Sequence, residues 1–182
     1  MISNGKFYES QFEEATIELL REAHWQYAFG DDIHRKYTDP LIEEDLRNFL
    51  AVQYKDKNLT TSEMDSIVAN LRNTGGQNDY YALRNTFLLY RDGYDFAYSD
   101  GRSNPFRLEY IDFEHPDHNI FRCVNQFVME QGRENRRPDI LLFINGIPVC
   151  IIELKNPTKQ NATIHDAHTQ ICTRYMRDIP AL

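Results

Sequence analysis

Several features that would declare a function at once are missing. None of the 182 residues lies in an apolar run of transmembrane length, and the N-terminus lacks a signal-peptide pattern, so no membrane partner is expected. A Gly-rich loop ending in Lys-Ser/Thr is absent, which excludes a nucleotide site of that type within these residues. Cysteine is scarce: Cys123, Cys150 and Cys172 are odd in number, widely spaced and without a C-x-x-C pair. That excludes a disulfide framework, and the three are expected to be buried thiols of a cytoplasmic protein. Positive charge is also short, with 20 Lys/Arg against 28 Asp/Glu and a net charge of −8. The deficit is uneven: residues 1–119 carry a net −10, whereas residues 120–182 carry a net +2. So thin a basic footprint argues against tight nucleic-acid binding by this chain unaided.

What is present describes a globular protein. Hydrophobic residues make up 41% of the chain and aromatics 13%, enough for one domain with a real core. Residues 10–27 carry an amphipathic pattern, with Phe12, Ala15, Leu19, Leu20 and Ala23 on one helical face. Glu13 falls inside that apolar arc, either facing the core or reaching solvent at its edge; Trp25 and Tyr27 read as core or staple residues. Asp39-Pro40 predicts a second helix running to about Tyr54, with Asp39 as N-cap. Thr60-Thr61-Ser62-Glu63 is a capping box for a third helix, and a fourth is expected from about Asp79 to Tyr90. Residues 31–92 carry no evident chemistry, so about 39–92 reads as a helical insertion that braces the core or meets another subunit, bracing being preferred. Strand texture begins at Tyr94. Strands are expected over 105–113 and 119–130, separated by Glu114-His115-Pro116-Asp117-His118. That segment can be drawn as a metal cluster, but a polar turn is the simpler reading.

The decisive stretch runs from Arg137 to Lys155. Two apolar runs flank Asn145-Gly146, a strong hairpin signal, with Asp139 entering the first run and Glu153 and Lys155 leaving the second. A regular two-residue loop would pair Asp139 with Ile152 and turn Glu153 to the opposite face. For the carboxylates to meet, the hairpin needs an odd count, such as a three-residue loop with Gly146 left-handed, and Pro148 makes an irregularity plausible. Asp139, Glu153 and Lys155 would then converge. Two carboxylates and the carbonyl of Leu154 suit Mg²⁺, with Mn²⁺ as an alternative, and an ammonium beside them can offset charge growing on a phosphate. The plainer reading is a surface hairpin whose end charges are coincidental. Arg133, Arg136 and Arg137 form a basic loop leading into Asp139, suited to phosphate contact or simply solvated. A final helix is expected from about Thr163 to Met176, and His165 and His168 on it read as surface rather than a metal pair, since no further ligand is seen to follow.

Pro138-Asp139, a hairpin-length gap and Glu153-Leu154-Lys155 resemble the PD-(D/E)XK nuclease signature. The longer wording Asn125-Gln126-Phe127, Arg137-Pro138-Asp139-Ile140, Asn145-Gly146-Ile147-Pro148 and Ile152-Glu153-Leu154-Lys155-Asn156-Pro157 resembles the N-terminal domain of the R subunit of type I restriction-modification enzymes. The resemblance is strongest over about 105–182. It implies an α/β (α+β) restriction-endonuclease-like core, a mixed sheet flanked by helices. The core would cover about 10–27 and 94–182 of a single domain. It also implies Mg²⁺-dependent cleavage of double-stranded DNA, with Asp139, Glu153, Leu154 and Glu13 around the metal and Lys155 as the catalytic cation. Gln170 matches a glutamine that such nucleases carry beside the site. Tyr175 lies one residue beyond the usual Gln-x-x-x-Tyr spacing, so Tyr175 or Arg174 is expected to face the site. Partners would be methyltransferase and specificity subunits, and ATP would act only through motor domains outside a chain expected to be a fragment. A stand-alone repair or recombination nuclease, and a non-cutting docking module, are the alternatives.

Overall fold

The computed structural model describes residues 9–74, 80–155 and 164–178. At its centre is a four-stranded mixed sheet in the order β1 (Gln26–Phe29), β4 (Phe121–Asn125), β7 (Ile140–Ile144), β8 (Ile147–Ile152). β1 runs parallel to β4, and the other neighbours are antiparallel. Helices α1 (Glu9–Glu22), α2 (Glu43–Gln53), α3 (Thr61–Thr74) and α4 (Tyr80–Asp92) precede most of it in sequence. The chain closes with α5 (Ile164–Thr169), a π-helical turn (Gln170–Tyr175) and α6 (Met176–Asp178). No helix among the described residues is long and apolar enough to cross a membrane.

β1 lies where the sequence led us to expect the first helix to continue. α1 stops at Glu22 because His24 takes a left-handed conformation (φ 67°). Trp25 N–H then bonds back to Leu20 O at 2.9 Å, and His24 N–H to Arg21 O at 3.0 Å. This is a Schellman ending without the usual glycine, so no stop signal stands at this position. The packed face of α1 is also rotated from the expected one: Leu19 is 65% exposed and Ala15 exposed, whereas Phe12, Glu13, Thr16, Ile17 and Leu20 are partly buried. Tyr27 is exposed rather than core, while Trp25 meets Phe121 edge-on with ring centroids 5.2 Å apart.

The expected strand over 105–113 does not join the main sheet. β3 (Phe106–Leu108) pairs with β2 (Tyr94–Phe96) as a separate ribbon. Its alternation is real, but Leu108 and Tyr110 bury against Leu46, Phe49, Leu50 and Ile67 of α2 and α3. Beyond β4, Gln126 (φ 56°) turns the chain into a second ribbon of β5 (Met129–Gln131) and β6 (Glu134–Arg136), so Arg136 of the expected basic loop lies in a strand while Arg133 lies in the turn before it. α2 begins at Glu43, not after Asp39, whose Oδ1 accepts Leu41 N–H at 3.1 Å and so shapes the preceding turn. α3 opens on the expected capping box: Thr60 N–H reaches Glu63 Oε2 at 2.9 Å and Glu63 N–H reaches Thr60 Oγ1 at 3.3 Å. Of the cysteines, Cys123 is buried but Cys150 and Cys172 are exposed, correcting the expectation of three buried thiols. Thr163, the expected cap of the last helix, lies outside the described residues.

The β7–β8 hairpin carries the site. Asn145 (φ 51°) and Gly146 (φ 75°) form the two-residue turn, and a Cβ on Gly146 would sit 2.1 Å from Ile42 O. The odd residue lies farther along. Phe143 pairs with Pro148 but Leu142 pairs with Cys150, leaving Val149 as a one-residue bulge. Pro148 has no N–H for the ladder, which favours the break there. The parity matches the expectation; its location is the strand, not the loop.

Candidate active site

Beyond the last paired residues, Ile140 and Ile152, the bulged register sets Asp139 across from Glu153. Leu154 N–H donates to Asp139 Oδ2 at 2.7 Å, which fixes one strand end against the other. The Glu153 side chain is only 1% exposed, and Lys155 Nζ stands 3.5 Å from its Oε2. Gln170 bridges this pair: its Oε1 accepts Lys155 Nζ at 2.9 Å while its Nε2 donates to Glu153 Oε2 at 2.8 Å. Only a group with an acceptor at one end and a donor at the other fits between an ammonium and a carboxylate in this way.

Tyr175 completes the arrangement. Its hydroxyl donates to Glu153 Oε1 and accepts Gln170 Nε2 at 2.9 Å. Five residues along an α-helix would turn Tyr175 about 140° away from Gln170. The π-helical turn over Gln170–Tyr175 restores the shared face, absorbing the extra residue in the spacing. Tyr175 therefore faces Glu153, and Arg174 is exposed. Burial raises the Glu153 carboxyl above the ordinary glutamate value, aided by the neighbouring charge of Asp139 and opposed by Tyr175 and Lys155. Burial and the bond to Glu153 likewise push the Tyr175 hydroxyl upward.

Glu13 sits close by without joining the pair. Its Oε1 accepts Asn125 Nδ2 at 2.9 Å and Gln126 Nε2 at 3.1 Å, and Gln126 N–H donates to Asp139 O at 3.2 Å. The Asn125–Gln126 pair is thus a polar link between α1 and the hairpin to which the sequence reading gave no role. Among the described residues, Glu13, Asp139 and Glu153 do not bring three ligand atoms within 4.8 Å of one another.

Beside the site lies a cleft of about 410 Å³ lined by Arg136, Arg137, Gln170, Arg174, Tyr175 and Arg177. Arg133 is exposed at the β5–β6 turn and does not line it. Arg177 was not expected here, nor was buried Asp178, which accepts Arg136 Nε at 3.0 Å and Arg177 Nε at 2.6 Å. Asp178 therefore offsets part of the cleft's positive charge. His168 does have a following neighbour, since its Nε2 lies 3.5 Å from Cys172 Sγ one turn on.

Comparison with known proteins agrees over nearly the whole chain. Residues 6–182 match the family described as the type I restriction enzyme R protein N terminus, so the likeness reaches the first helix as well as 105–182. The type I restriction enzyme HindI endonuclease subunit of Haemophilus influenzae is 31% identical over 176 residues, covering 91% of this chain and 16% of that subunit. The putative type I restriction enzyme MjaIXP endonuclease subunit of Methanocaldococcus jannaschii is 31% identical over 178 residues, covering 93% of this chain and 17% of the relative. The chain spans about a sixth of the length of these curated relatives. By the extent of that match, the chain belongs to the family of type I restriction enzyme R protein N-terminal regions.

Proposed function

We propose that this chain is the nuclease domain of a type I restriction R subunit, a restriction-endonuclease-like PD-(D/E)XK core that hydrolyses DNA phosphodiester bonds. In this reading residues 1–182 form one domain, with the core over about 10–27 and 94–182 and a helical insertion over about 39–92. The observation that carries it is the partly buried polar chain Lys155–Gln170–Glu153–Tyr175 with Asp139 opposed to Glu153 across the bulged hairpin. Membership of the family and the endonuclease names of its relatives support the same reading.

The donor set fits a hard divalent cation. Glu153 is buried and destabilised as an anion by Asp139, so a cation shared by the two carboxylates would relieve a cost the fold otherwise carries. Asp139, Glu153 and the carbonyl of Leu154 would hold Mg²⁺ or Mn²⁺, which supplies a water of lowered pKa and Lewis-acid polarisation of the phosphate. Lys155 orients the attacking water and offsets the charge that builds on the phosphoryl oxygens. Gln170 holds the Lys155 ammonium in place through its amide oxygen. Tyr175 fixes the Glu153 carboxylate, and Glu13 braces the Asn125–Gln126 corner behind Asp139. Arg133, Arg136, Arg137, Arg174 and Arg177 contact the DNA backbone. Because net charge is −8, methyltransferase and specificity subunits deliver the duplex, and ATP acts through motor domains elsewhere in the R subunit. The setting is the cytoplasm.

Two measurements test the reading. In the assembled restriction complex, Asp139→Ala and Lys155→Ala should abolish DNA cleavage while leaving assembly and DNA binding intact. Cleavage that survives both substitutions would make the chain a docking module. Calorimetric titration of Mg²⁺ or Mn²⁺ should give binding to the wild-type chain that disappears in Asp139→Ala.

A further inference from the structure

A second group of metal-ligating side chains lies at the other end of the hairpin. Asp112, His115 and His118 sit on the loop between β3 and β4, with ligand atoms all within 4.8 Å of one another. Asp112 is buried, and its Oδ1 is fixed by the N–H groups of Glu114 at 3.0 Å and His115 at 2.8 Å. That leaves Oδ2 aimed at the histidines: His118 Nδ1 is 3.1 Å away and His115 Nδ1 3.5 Å. The two rings stack with centroids 4.9 Å apart and remain open to solvent on their outer side. The loop is closed behind them by Asn119, whose Oδ1 accepts Asp112 N–H at 2.9 Å and whose Nδ2 donates to Asp112 O at 2.7 Å.

One carboxylate–imidazole hydrogen bond accounts for His118 but not for His115, whose Nδ1 stands 3.5 Å from the same oxygen. Asp112 Oδ2 already accepts Gln53 Nε2 at 3.1 Å, so two imidazole nitrogens and an amide converge on one oxygen with two lone pairs. At most one imidazole can donate there. The other must turn either a lone pair toward a carboxylate or a surplus proton toward an occupied acceptor. A cation between the three removes the conflict. Around a four-coordinate zinc ion with bonds near 2.0–2.1 Å, donors stand about 3.3 Å apart, and the observed 3.1 and 3.5 Å bracket that spacing. Two imidazoles and one carboxylate also leave coordination positions for water, and the nitrogen donors favour a borderline first-row ion over Mg²⁺.

We infer that Asp112, His115 and His118 bind one zinc-class divalent cation, at a site separate from the candidate active site. The strand from Asp139 to Asn145 spans about 20 Å, so the two sites lie at opposite ends of β7. Asn119 links the loop to the hairpin turn, since its Oδ1 accepts Asn145 Nδ2 at 2.8 Å. A bound ion would therefore stiffen the loop that seats the turn.

The test is Zn²⁺ titration of the full chain by calorimetry, repeated with Co²⁺ by visible absorbance. Wild type should bind one equivalent besides any cation at the candidate active site, and the Asp139→Asn variant, the background for the remaining substitutions, should bind that equivalent. His115→Ala and His118→Ala should each weaken it about tenfold or more. Both histidines are largely exposed, so these variants should keep the wild-type circular dichroism spectrum. Zn²⁺ should raise the melting temperature of Asp139→Asn but not of the same variant carrying His118→Ala. Absence of saturable binding, binding indifferent to both histidine substitutions, or binding lost in Cys172→Ser would each overturn the assignment. Loss in Asp139→Asn would assign the ion to the candidate active site and overturn it too. Failure of the nuclease reading would leave these outcomes unchanged.

Discussion

Asn145→Ala is the most quantitative perturbation the fold offers. The Asn145 side chain is fully buried and makes three hydrogen bonds. Oδ1 accepts Ile120 N–H at 2.7 Å, and Nδ2 donates to Tyr110 O at 2.9 Å and Asn119 Oδ1 at 2.8 Å. Alanine removes all three, each worth about 1 kcal/mol net, with more lost where a buried group such as Tyr110 O is left unpaired. It also places a Cβ residue without a local polar partner at φ 51°, costing about 1 kcal/mol more. The expected destabilisation is about 4 kcal/mol, or roughly 8–16 °C in melting temperature for a chain of this size. Urea unfolding at pH 7 reads it directly. Asn145→Gly removes the backbone strain but none of the lost bonds, so it should cost about 3 kcal/mol. If alanine costs under about 1 kcal/mol, or glycine costs as much as alanine, the accounting of this turn is wrong.

Three further outcomes are expected. Glu153→Gln should abolish cleavage yet stabilise the metal-free chain at neutral pH. A carboxyl raised by folding binds protons more tightly folded than unfolded, so wild-type stability falls as pH rises from the ordinary glutamate value through the raised one. Melting curves of both proteins in chelator, from pH 4 to 8, check this, and a wild type that gains on the variant with rising pH would refute it. Deleting Thr173 should convert the π-helical turn to an α-helical one. Gln170, Tyr175 and Asp178 would keep their places and the loss of stability would stay below about 1 kcal/mol; disruption of the last helix by circular dichroism would contradict that. A thiol reagent should modify Cys150 and Cys172 quickly and Cys123 only on unfolding, because Cys123 is buried and its thiol is pushed up by that burial. Fast reaction of three thiols would contradict the packing of β4.

The hairpin was legible because its signals are backbone chemistry: Asn-Gly supplies two left-handed residues, and proline forbids a ladder bond. Those facts fix parity but not place, since a three-residue loop and a strand bulge turn Glu153 to the same face. The helix bearing Gln170 was legible, yet its π-helical turn was not. Five-residue spacing looks like a mismatch until Glu153 is there to hold Tyr175. β1 escaped notice because His24 ends α1 where a glycine would have announced it, and four residues paired in parallel carry no pattern of their own. The Asp112 site was hidden for a related reason. Its histidines were visible, but their carboxylate lay in a segment read as a strand.

The Val149 bulge bears on how copies of this chain meet in solution. β8 is the outer strand of the sheet, and a flat outer strand invites a second molecule to add its own. Pro148 withholds a donor there and Val149 breaks the pleat. Deleting Val149 would keep Leu142 paired with Cys150 and Asp139 across from Glu153, yet it would straighten the strand and give concentrated protein a regular, sticky border along which to aggregate.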